Sequence, residues 1–254
     1  MCAIAYDPTT SFFMSVPAIV FTDWDGTVTL QDSNDYLTEN LGFGRPRRLQ
    51  INDEILNETK SFKDGFSEML ASIPTPFPEC INYLLQHIEL DPGFKDFYLW
   101  CEEKGIPVVV VSSGMKPIIY ALLEKLVGPT AAQKIEIMSN SVSVDAETGR
   151  WKIVYKHPDT GFGHDKSLSI RDYLVEHGYT GDKKPHLFYC GDGVSDLSAA
   201  KETNLLFAKH GKDLITYCRR ENIPYTEFND FRDIFAKIKA VVNGEKDYHD
   251  YIEN

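Results

Sequence analysis

The amino-acid sequence predicts an α/β fold: a parallel β-sheet flanked by helices, with a helical insertion and a small β-hairpin. Three observations lead there. Short apolar runs at residues 18–21, 106–111 and 186–190 each end in a polar, glycine-bearing turn, and unbroken runs of this kind suit strands buried on both faces. Stretches with helical spacing separate these runs, and strands alternating with helices mark a parallel sheet covered on both sides. Residues 33–90 keep helical spacing throughout, with no strand-like alternation, so that span reads as an insertion.

The first strand runs into Thr22-Asp23-Trp24-Asp25-Gly26-Thr27. Side chains alternate along a strand with period two, so Asp23 and Asp25 are expected to project together with Trp24 opposite. Two crowded carboxylates repel, and one pKa rises unless a cation or a shared proton compensates. The string therefore points to a bound metal, an acid–base pair, or both; alone, it also suits a plain strand end entering an Asp-Gly turn. Asp32-Ser33-Asn34-Asp35 supplies N-cap residue types for a helix with Tyr36, Leu37 and Leu41 on its apolar face. Gly42-Phe43-Gly44-Arg45-Pro46 ends that helix. Helical spacing continues through Leu49, Ile51, Ile55 and Leu56, then Phe62, Phe66, Met69 and Leu70, breaks at the prolines of residues 74–78, and resumes with Ile81, Leu84, Leu85 and Ile88.

Asp91-Pro92-Gly93-Phe94 starts a helix through Trp100 and Lys104 that Gly105 stops, and the strand at 106–111 follows, ending in Ser112-Ser113-Gly114-Met115. Next come a helix at 117–127 and a hairpin at 135–155 that turns at Glu147-Thr148-Gly149. A helix opens near Lys166 and ends near Gly178. The strand at 186–190 runs into Gly191-Asp192-Gly193, and a helix containing Leu197, Ala199 and Ala200 follows. A strand at 205–208 and helices at 213–219 and 231–242 complete the fold, with the acidic tail from Gly244 expected to be exposed or frayed.

A formal charge of −12 argues against a general nucleic-acid binder, which needs a basic face. It remains compatible with an anionic small molecule, because a metal and a few local cations can reverse the potential inside one cleft. The five cysteines are scattered, with no CxxC pair and no zinc-like spacing, so a reducing compartment is expected. Residues 1–17 lack a basic segment followed by a sustained apolar one, so no signal peptide is expected. No apolar run reaches the length of a membrane span. The expected address is cytoplasmic, with no membrane partner. Cys190 reads as a packing thiol, and His157 and His164 read as loop or surface residues rather than metal ligands.

In open α/β sheets, ligands bind outside the carboxyl ends of the strands at a topological switch point. The turns at Asp23 to Thr27, Ser112 to Gly114 and Asp192 to Asp196 would meet there, with Lys166 joining from its helix start. Carboxylate oxygens suit Mg²⁺ and helix N-termini favour phosphate, so a phosphate ester with Mg²⁺ is the expected ligand.

In these residues the chain resembles the haloacid dehalogenase superfamily. Asp23-x-Asp25-Gly26-Thr27, Ser112, Lys166 and Gly191-Asp192-Gly193-Val194-Ser195-Asp196 match its four motifs in order. The early helical insertion is similar to the cap of its phosphoserine-phosphatase-like branch, and the resemblance extends over nearly the whole chain. It implies a Rossmann-like core of residues 1–32 and 91–254 with a helical C1-type cap at 33–90 inserted in it. It implies a Mg²⁺-dependent phosphomonoesterase acting on a small phosphorylated metabolite, with Asp23 as nucleophile forming an aspartyl-phosphate and Asp25 as general acid and base. Thr27 would orient Asp25. Mg²⁺ would sit between Asp23, the backbone carbonyl of Asp25 and Asp192, with Asp196 holding a metal-bound water or steadying the loop. Ser112, Ser113 and Gly114 would bind phosphoryl oxygens, and Lys166 would offset charge around Asp23.

The acid that this branch uses to hold a substrate amine falls at Asp32, one methylene shorter than the usual glutamate, which tells against phosphoserine. Lys60 and Lys63 flank Ser61-Phe62 where an anion-binding cation is expected, and Arg45, Arg47 and Arg48 form a second basic group that reads mostly as a solvated helix face. Met115 and Lys116 are expected to line the pocket wall. Two other classes fit part of the pattern: a phospho-accepting switch of the receiver type, and a paralogue that binds phosphometabolites without turnover. Asp25 and the helical insertion tell against the first; the intact set of catalytic residue types tells against the second.

Overall fold

The structure, a computed structural model, describes residues 16–179, 181 and 184–253. Its strands are β1 (Ala18–Thr22), β2 (Val108–Met115), β3 (Glu136–Val144), β4 (Trp151–Val154), β5 (His186–Gly191), β6 (Leu205–Lys209) and β7 (Thr226–Phe228). They form one seven-stranded sheet in the order β4-β3-β2-β1-β5-β6-β7. All pairings are parallel except that of β3 with β4. The chain builds outward from β1 on one side and later returns to β5 on the other. The switch point therefore lies at the carboxyl end of β1, where ligands of open α/β sheets bind.

Period-two alternation in β1 divides the interior into two layers. Ala18 and Val20 join Phe94, Phe97, Ile118 and Phe231 on one face, while Ile19 and Phe21 join Ile170, Tyr173, Leu214 and Cys218 on the other. Five helices separate β1 from β2, the first four being α1 (Ser33–Leu41), α2 (Arg45–Leu56), α3 (Phe62–Ala71) and α4 (Phe77–His87). Their apolar sides, with Leu37, Phe66, Leu70, Phe77 and Leu84, merge into the first layer. Next comes α5 (Phe94–Lys104), which Gly105 ends in the left-handed conformation with its N–H on the carbonyl of Cys101. Then follow α6 (Lys116–Leu126), α7 (Pro129–Lys134), α8 (Lys166–Glu176), α9 (Leu197–Ala200), α10 (Asp213–Glu221) and α11 (Phe231–Val242).

Three features differ from expectation. The hairpin at 135–155 is not a separate appendage: β3 pairs with β2 in the main sheet, and β4 extends that edge. The three-residue β7 carries too little pattern to register as a strand in sequence. The tail from Gly244 is tied down rather than frayed. Glu253 N–H donates to the carbonyl of Tyr225 at 2.7 Å, its carboxylate accepts from Glu227 N–H at 2.9 Å, and Tyr248, Tyr251 and Ile252 pack on the first layer. The tail thus satisfies edge groups that β7 would otherwise leave open.

Among the described residues no helix is long and apolar enough to cross a membrane. Cys80, Cys101, Cys190 and Cys218 are buried, unpaired thiols. Cys2 and residues 1–15, on which the expectation of no leader peptide chiefly rests, lie outside the described residues.

Candidate active site

The carboxyl end of β1 carries two carboxylates held in different ways. Asp23 N–H donates to the carbonyl of Cys190 at 2.8 Å, which fixes the residue against β5. Its Oδ1 accepts from Trp24 N–H at 2.7 Å, and its Oδ2 lies 2.9 Å from Lys166 Nζ. Asp25 Oδ1 accepts from Ser33 N–H and its Oδ2 from Asn34 Nδ2, both at 2.8 Å, so the start of α1 grips it. Trp24, between them, is fully buried on the opposite side, in the first layer. Burial raises Asp23 to about 7 although Lys166 pulls it down. Burial, with Asp32 adding to it, raises Asp25 well above the carboxylate range.

Gly26 turns the chain at φ +73°, and a Cβ there would stand 2.3 Å from Asp192 Oδ2. Only glycine permits both the left-handed turn and this approach of β5's loop. The turn carries Thr27 away from Asp25, and Thr27 Oγ1 donates instead to Asp192 Oδ1 at 3.4 Å. Ser33 N–H and Asn34 Nδ2, rather than Thr27, hydrogen-bond the Asp25 carboxylate.

Lys166, first residue of α8, is fully buried and lies 2.6 Å from Asp196 Oδ1. Burial alone would lower its pKa, but Asp196 and Asp23 more than offset this and leave it raised. Asp196 Oδ1 also accepts from Tyr189 O–H at 2.6 Å, and its Oδ2 accepts from Asp192 and Gly193 N–H at 2.9 and 3.0 Å. Oxygens of Asp23, Asp192 and Asp196 all lie within 4.8 Å of one another, a possible metal cluster. The donor set fits a hard divalent cation, but the three carboxylates are not equivalent. Both oxygens of Asp196 are engaged by four donors, so it steadies the loop behind the site. Asp192 has only Thr27 at 3.4 Å and Lys212 Nζ at 3.9 Å, and burial pushes it well above its ordinary range. A bound cation would offset the cost of ionising this buried carboxyl.

At the end of β2, Ser112 Oγ accepts from Gly114 N–H at 3.0 Å, and Ser113 Oγ is buried without a partner. A Cβ at Gly114 would sit 2.9 Å from Asp25 Oδ2, so the loop approaches Asp25 as closely as glycine allows. His164 lies in the loop before α8, within the loop-or-surface expectation, but is fully buried, with Nδ1 2.6 Å from the carbonyl of Ser112 and Nε2 2.7 Å from Ser169 Oγ. Burial lowers it to about 3, so the ring is neutral and joins the serine loop to α8. His157, in a loop as expected, accepts Asp165 N–H on Nδ1 at 3.0 Å.

Asp23, Asp25, Ser112, Ser113, Gly114 and Asp192 floor a cavity of about 390 Å³, with Thr27, Lys166 and Asp196 behind them, walled above by Arg48, Asn52, Ile55, Phe62, Phe66 and Met69 of α2 and α3. Asp32 lines it as expected, with Oδ1 capping α1 through Asn34 and Asp35 N–H. The other four expected specificity residues do not line it. Lys60 is bound 2.6 Å from both Glu54 and Glu68. Lys63 donates to the carbonyl of Pro158 at 2.7 Å, because Phe62, Phe66 and Met69 already form the cavity face of α3. Met115 is fully buried in the first layer, and Lys116 is exposed. Sequence reasoning missed Asn34, Asp35, Arg48, Asn52 and Lys212 as lining residues. The i, i+4, i+7 stripe of α3 was a usable signal, but it reads equally as core packing.

The chain matches the family model of haloacid dehalogenase-like hydrolases over residues 20–201. It is 57% identical over 242 residues to the polyol phosphate phosphatase PYP1 of Saccharomyces cerevisiae, covering 94% of this chain and 100% of that one. It is 30% identical over 227 residues to a 2-hydroxy-3-keto-5-methylthiopentenyl-1-phosphate phosphatase of Bacillus cereus, covering 88% of this chain and 96% of that one. Among solved structures, a phospho-aspartyl intermediate analogue of phosphoserine phosphatase superposes with a TM-score of 0.64 at 16% identity. That match covers 86% of this chain and 97% of the other, and shows a common fold.

Proposed function

The chain belongs to the haloacid dehalogenase-like hydrolase family and is a phosphoric monoester hydrolase; we propose that it cleaves a small polyol phosphate through an aspartyl-phosphate on Asp23. One observation carries the mechanism: two carboxylates share a strand end in environments suited to opposite tasks. Asp23 faces the fixed cation of Lys166, while Asp25 is buried against the start of α1 with its pKa well above the carboxylate range. Environments that divide a carboxylate pair in this way assign base and acid roles.

In the first step a carboxylate oxygen of Asp23 forms a bond to phosphorus as the ester P–O bond breaks, and Asp25 gives its proton to the leaving alkoxide. In the second, Asp25 takes a proton from water. The water oxygen bonds to phosphorus, the P–O bond to Asp23 breaks, and phosphate leaves with Asp23 restored. Ser112, Ser113 and Gly114 are placed to hold phosphoryl oxygens, which the unpartnered Ser113 Oγ supports. Lys166 offsets charge beside Asp23. Mg²⁺, held by Asp23, Asp192 and the backbone carbonyl of Asp25, would supply further positive charge to the nucleophile and the phosphate.

We further propose that residues 33–90 act as a cap over a core of residues 1–32 and 91–254. A polyol phosphate is favoured by the yeast relative's activity. A cytoplasmic setting is supported by the buried, unpaired thiols. The purified protein should hydrolyse p-nitrophenyl phosphate with Mg²⁺ and lose this activity in EDTA. A panel of phosphorylated metabolites, read by phosphate release, should favour polyol phosphates. Full turnover by Asp23→Asn would overturn the mechanism.

A further inference from the structure

Arg48 is the one lysine or arginine that the insertion contributes to the cavity wall among the described residues. It is 9% exposed, and its guanidinium is already committed. Nη1 lies 2.8 Å from Asp35 Oδ2, and Nε and Nη2 each lie 2.7 Å from Glu39 Oε1. Asp35 itself lines the cavity, as does Asp32; Glu39 does not. Arg48 thus meets two lining acids, Asp32 and Asp35, with Glu39 held behind the wall. The other basic lining residue, Lys212, stands 3.9 Å from Asp192 and also acts on Asp35.

We infer that Arg48 is a specificity-determining residue held in reserve by Asp35 and Glu39, so that the wall accepts hydroxyl donors and turns away a second anionic group. The physical basis is simple. Glu39 fills the Nε–Nη2 side of the guanidinium and Asp35 holds Nη1, so three of its five N–H donors are engaged and a substrate carboxylate seeking a bidentate grip must compete with both acids. Asp32 repels an incoming anion in a partly desolvated cleft, joined by Asp35 as pH nears the value of about 8 to which burial and Asp32 raise it, and each has lone pairs to receive an alcohol O–H. Asn52 adds an amide that can serve hydroxyls in either sense. The expected substrate is therefore a phosphomonoester whose remaining groups are uncharged alcohols. This rests on the reading of the cavity as a phosphomonoester site.

Glycerol 3-phosphate and 3-phosphoglycerate form a matched test pair, differing by an alcohol against a carboxylate at the carbon farthest from phosphate. Their affinities are to be measured by calorimetry on Asp23→Asn protein, where turnover is blocked. Glycerol 3-phosphate should bind more tightly. Adding Glu39→Gln or Asp35→Asn should release Arg48 and shift the affinity ratio towards 3-phosphoglycerate by about tenfold or more, the scale of a charge-assisted hydrogen bond. Adding Arg48→Gln to either should cancel the shift. An unchanged ratio in both releasing variants, with native circular dichroism, would overturn the inference. So would a parent that prefers 3-phosphoglycerate and loses that preference with Arg48→Gln alone. Turnover of p-nitrophenyl phosphate by the unsubstituted protein reports separately: a shifting ratio without turnover sinks the enzymatic reading and leaves the selectivity standing. Turnover with a fixed ratio does the reverse.

Discussion

Lys166 Nζ stands 2.6 Å from Asp196 Oδ1, and both side chains are wholly withdrawn from solvent. The pair joins α8 to the loop after β5, and Asp23 closes the arrangement from β1 at 2.9 Å. Three separate segments are therefore held in register by one ammonium group. Replacing it with an apolar side chain leaves two buried carboxylates without their cation. Lys166→Met should cost about 3–5 kcal/mol of stability, the usual penalty for breaking a buried pair from one side, and should abolish phosphatase activity. Urea unfolding measures the first and phosphate release the second. A loss below about 1 kcal/mol would place the pair among those that contribute little.

Asp23 gives a stability signature opposite to that of a salt-bridged surface carboxylate. Its folded pKa of about 7 lies above the ordinary 3.8. Between those values the folded chain keeps a proton that the unfolded chain has lost. Its contribution is therefore greatest at low pH and declines as pH rises through the window. In EDTA, Asp23→Asn should gain stability over the parent as pH is raised from about 5 to about 8, while losing all turnover. Unfolding curves at the two pH values decide this; parallel pH dependence in parent and variant would refute it.

The same raised carboxylates predict how metal binding responds to pH. A divalent cation between Asp23 and Asp192 competes with the protons that burial keeps on them. Binding should release protons and weaken as pH falls below about 7, the value to which Asp23 is raised. Calorimetry in buffers of different ionisation enthalpy counts the protons released. A binding heat independent of buffer would mean that both groups are already ionised in the metal-free protein.

The central strands and the machinery at their ends were legible because short-range rules govern them. The runs at residues 18–21, 106–111 and 186–190 announce buried strands; Asp23, Asp25 and Asp192 follow them at turns and Lys166 opens a helix, whereas Ser112, expected at a turn, lies within β2 where its pairing with β3 shifts register. The specificity residues were not legible, because tertiary packing decides which face of α2 and α3 meets the cavity. Lys60 and Lys63 occupied suitable sequence positions, yet Glu54, Glu68 and the carbonyl of Pro158 hold them elsewhere. Arg48 looked like one of several solvated arginines until the fold set it between Asp35 and Glu39. β7 escaped because three residues carry no periodicity, and the tail because its anchor, Tyr225 with Glu253, is long-range.

Asn34 was also missed, and it separates the two carboxylates experimentally. Its Nδ2 donates to Asp25 Oδ2 at 2.8 Å, whereas no bond joins it to Asp23. Asn34→Ala should therefore disturb proton transfer by Asp25 and spare the nucleophile. We expect about a tenfold or larger fall in kcat with an alkyl phosphate, the scale of a hydrogen bond to a charged group. The fall should be smaller with p-nitrophenyl phosphate, whose leaving group needs less protonation. Equal losses on both substrates would assign Asn34 to binding instead.

His164 is expected to make the fold lose stability in acid. Its ring bridges the carbonyl of Ser112 and Ser169 Oγ, and burial holds its pKa near 3, below the ordinary 6.5. Below the ordinary value the unfolded chain takes up a proton that the folded chain refuses, so stability falls as pH drops through that window towards 3. His164→Gln removes the titration while keeping a donor and an acceptor, though at a different reach. At about pH 7 it should be less stable than the parent by about 1–3 kcal/mol, the cost of a poorly satisfied buried polar group. Its stability should then decline less steeply as the solution is acidified. Because Ser112 carries the loop placed to bind phosphate, KM for the phosphoester should rise even where the variant remains folded. Parent and variant unfolding curves that stay parallel from about pH 7 to about pH 4 would show that another group sets the acid limit.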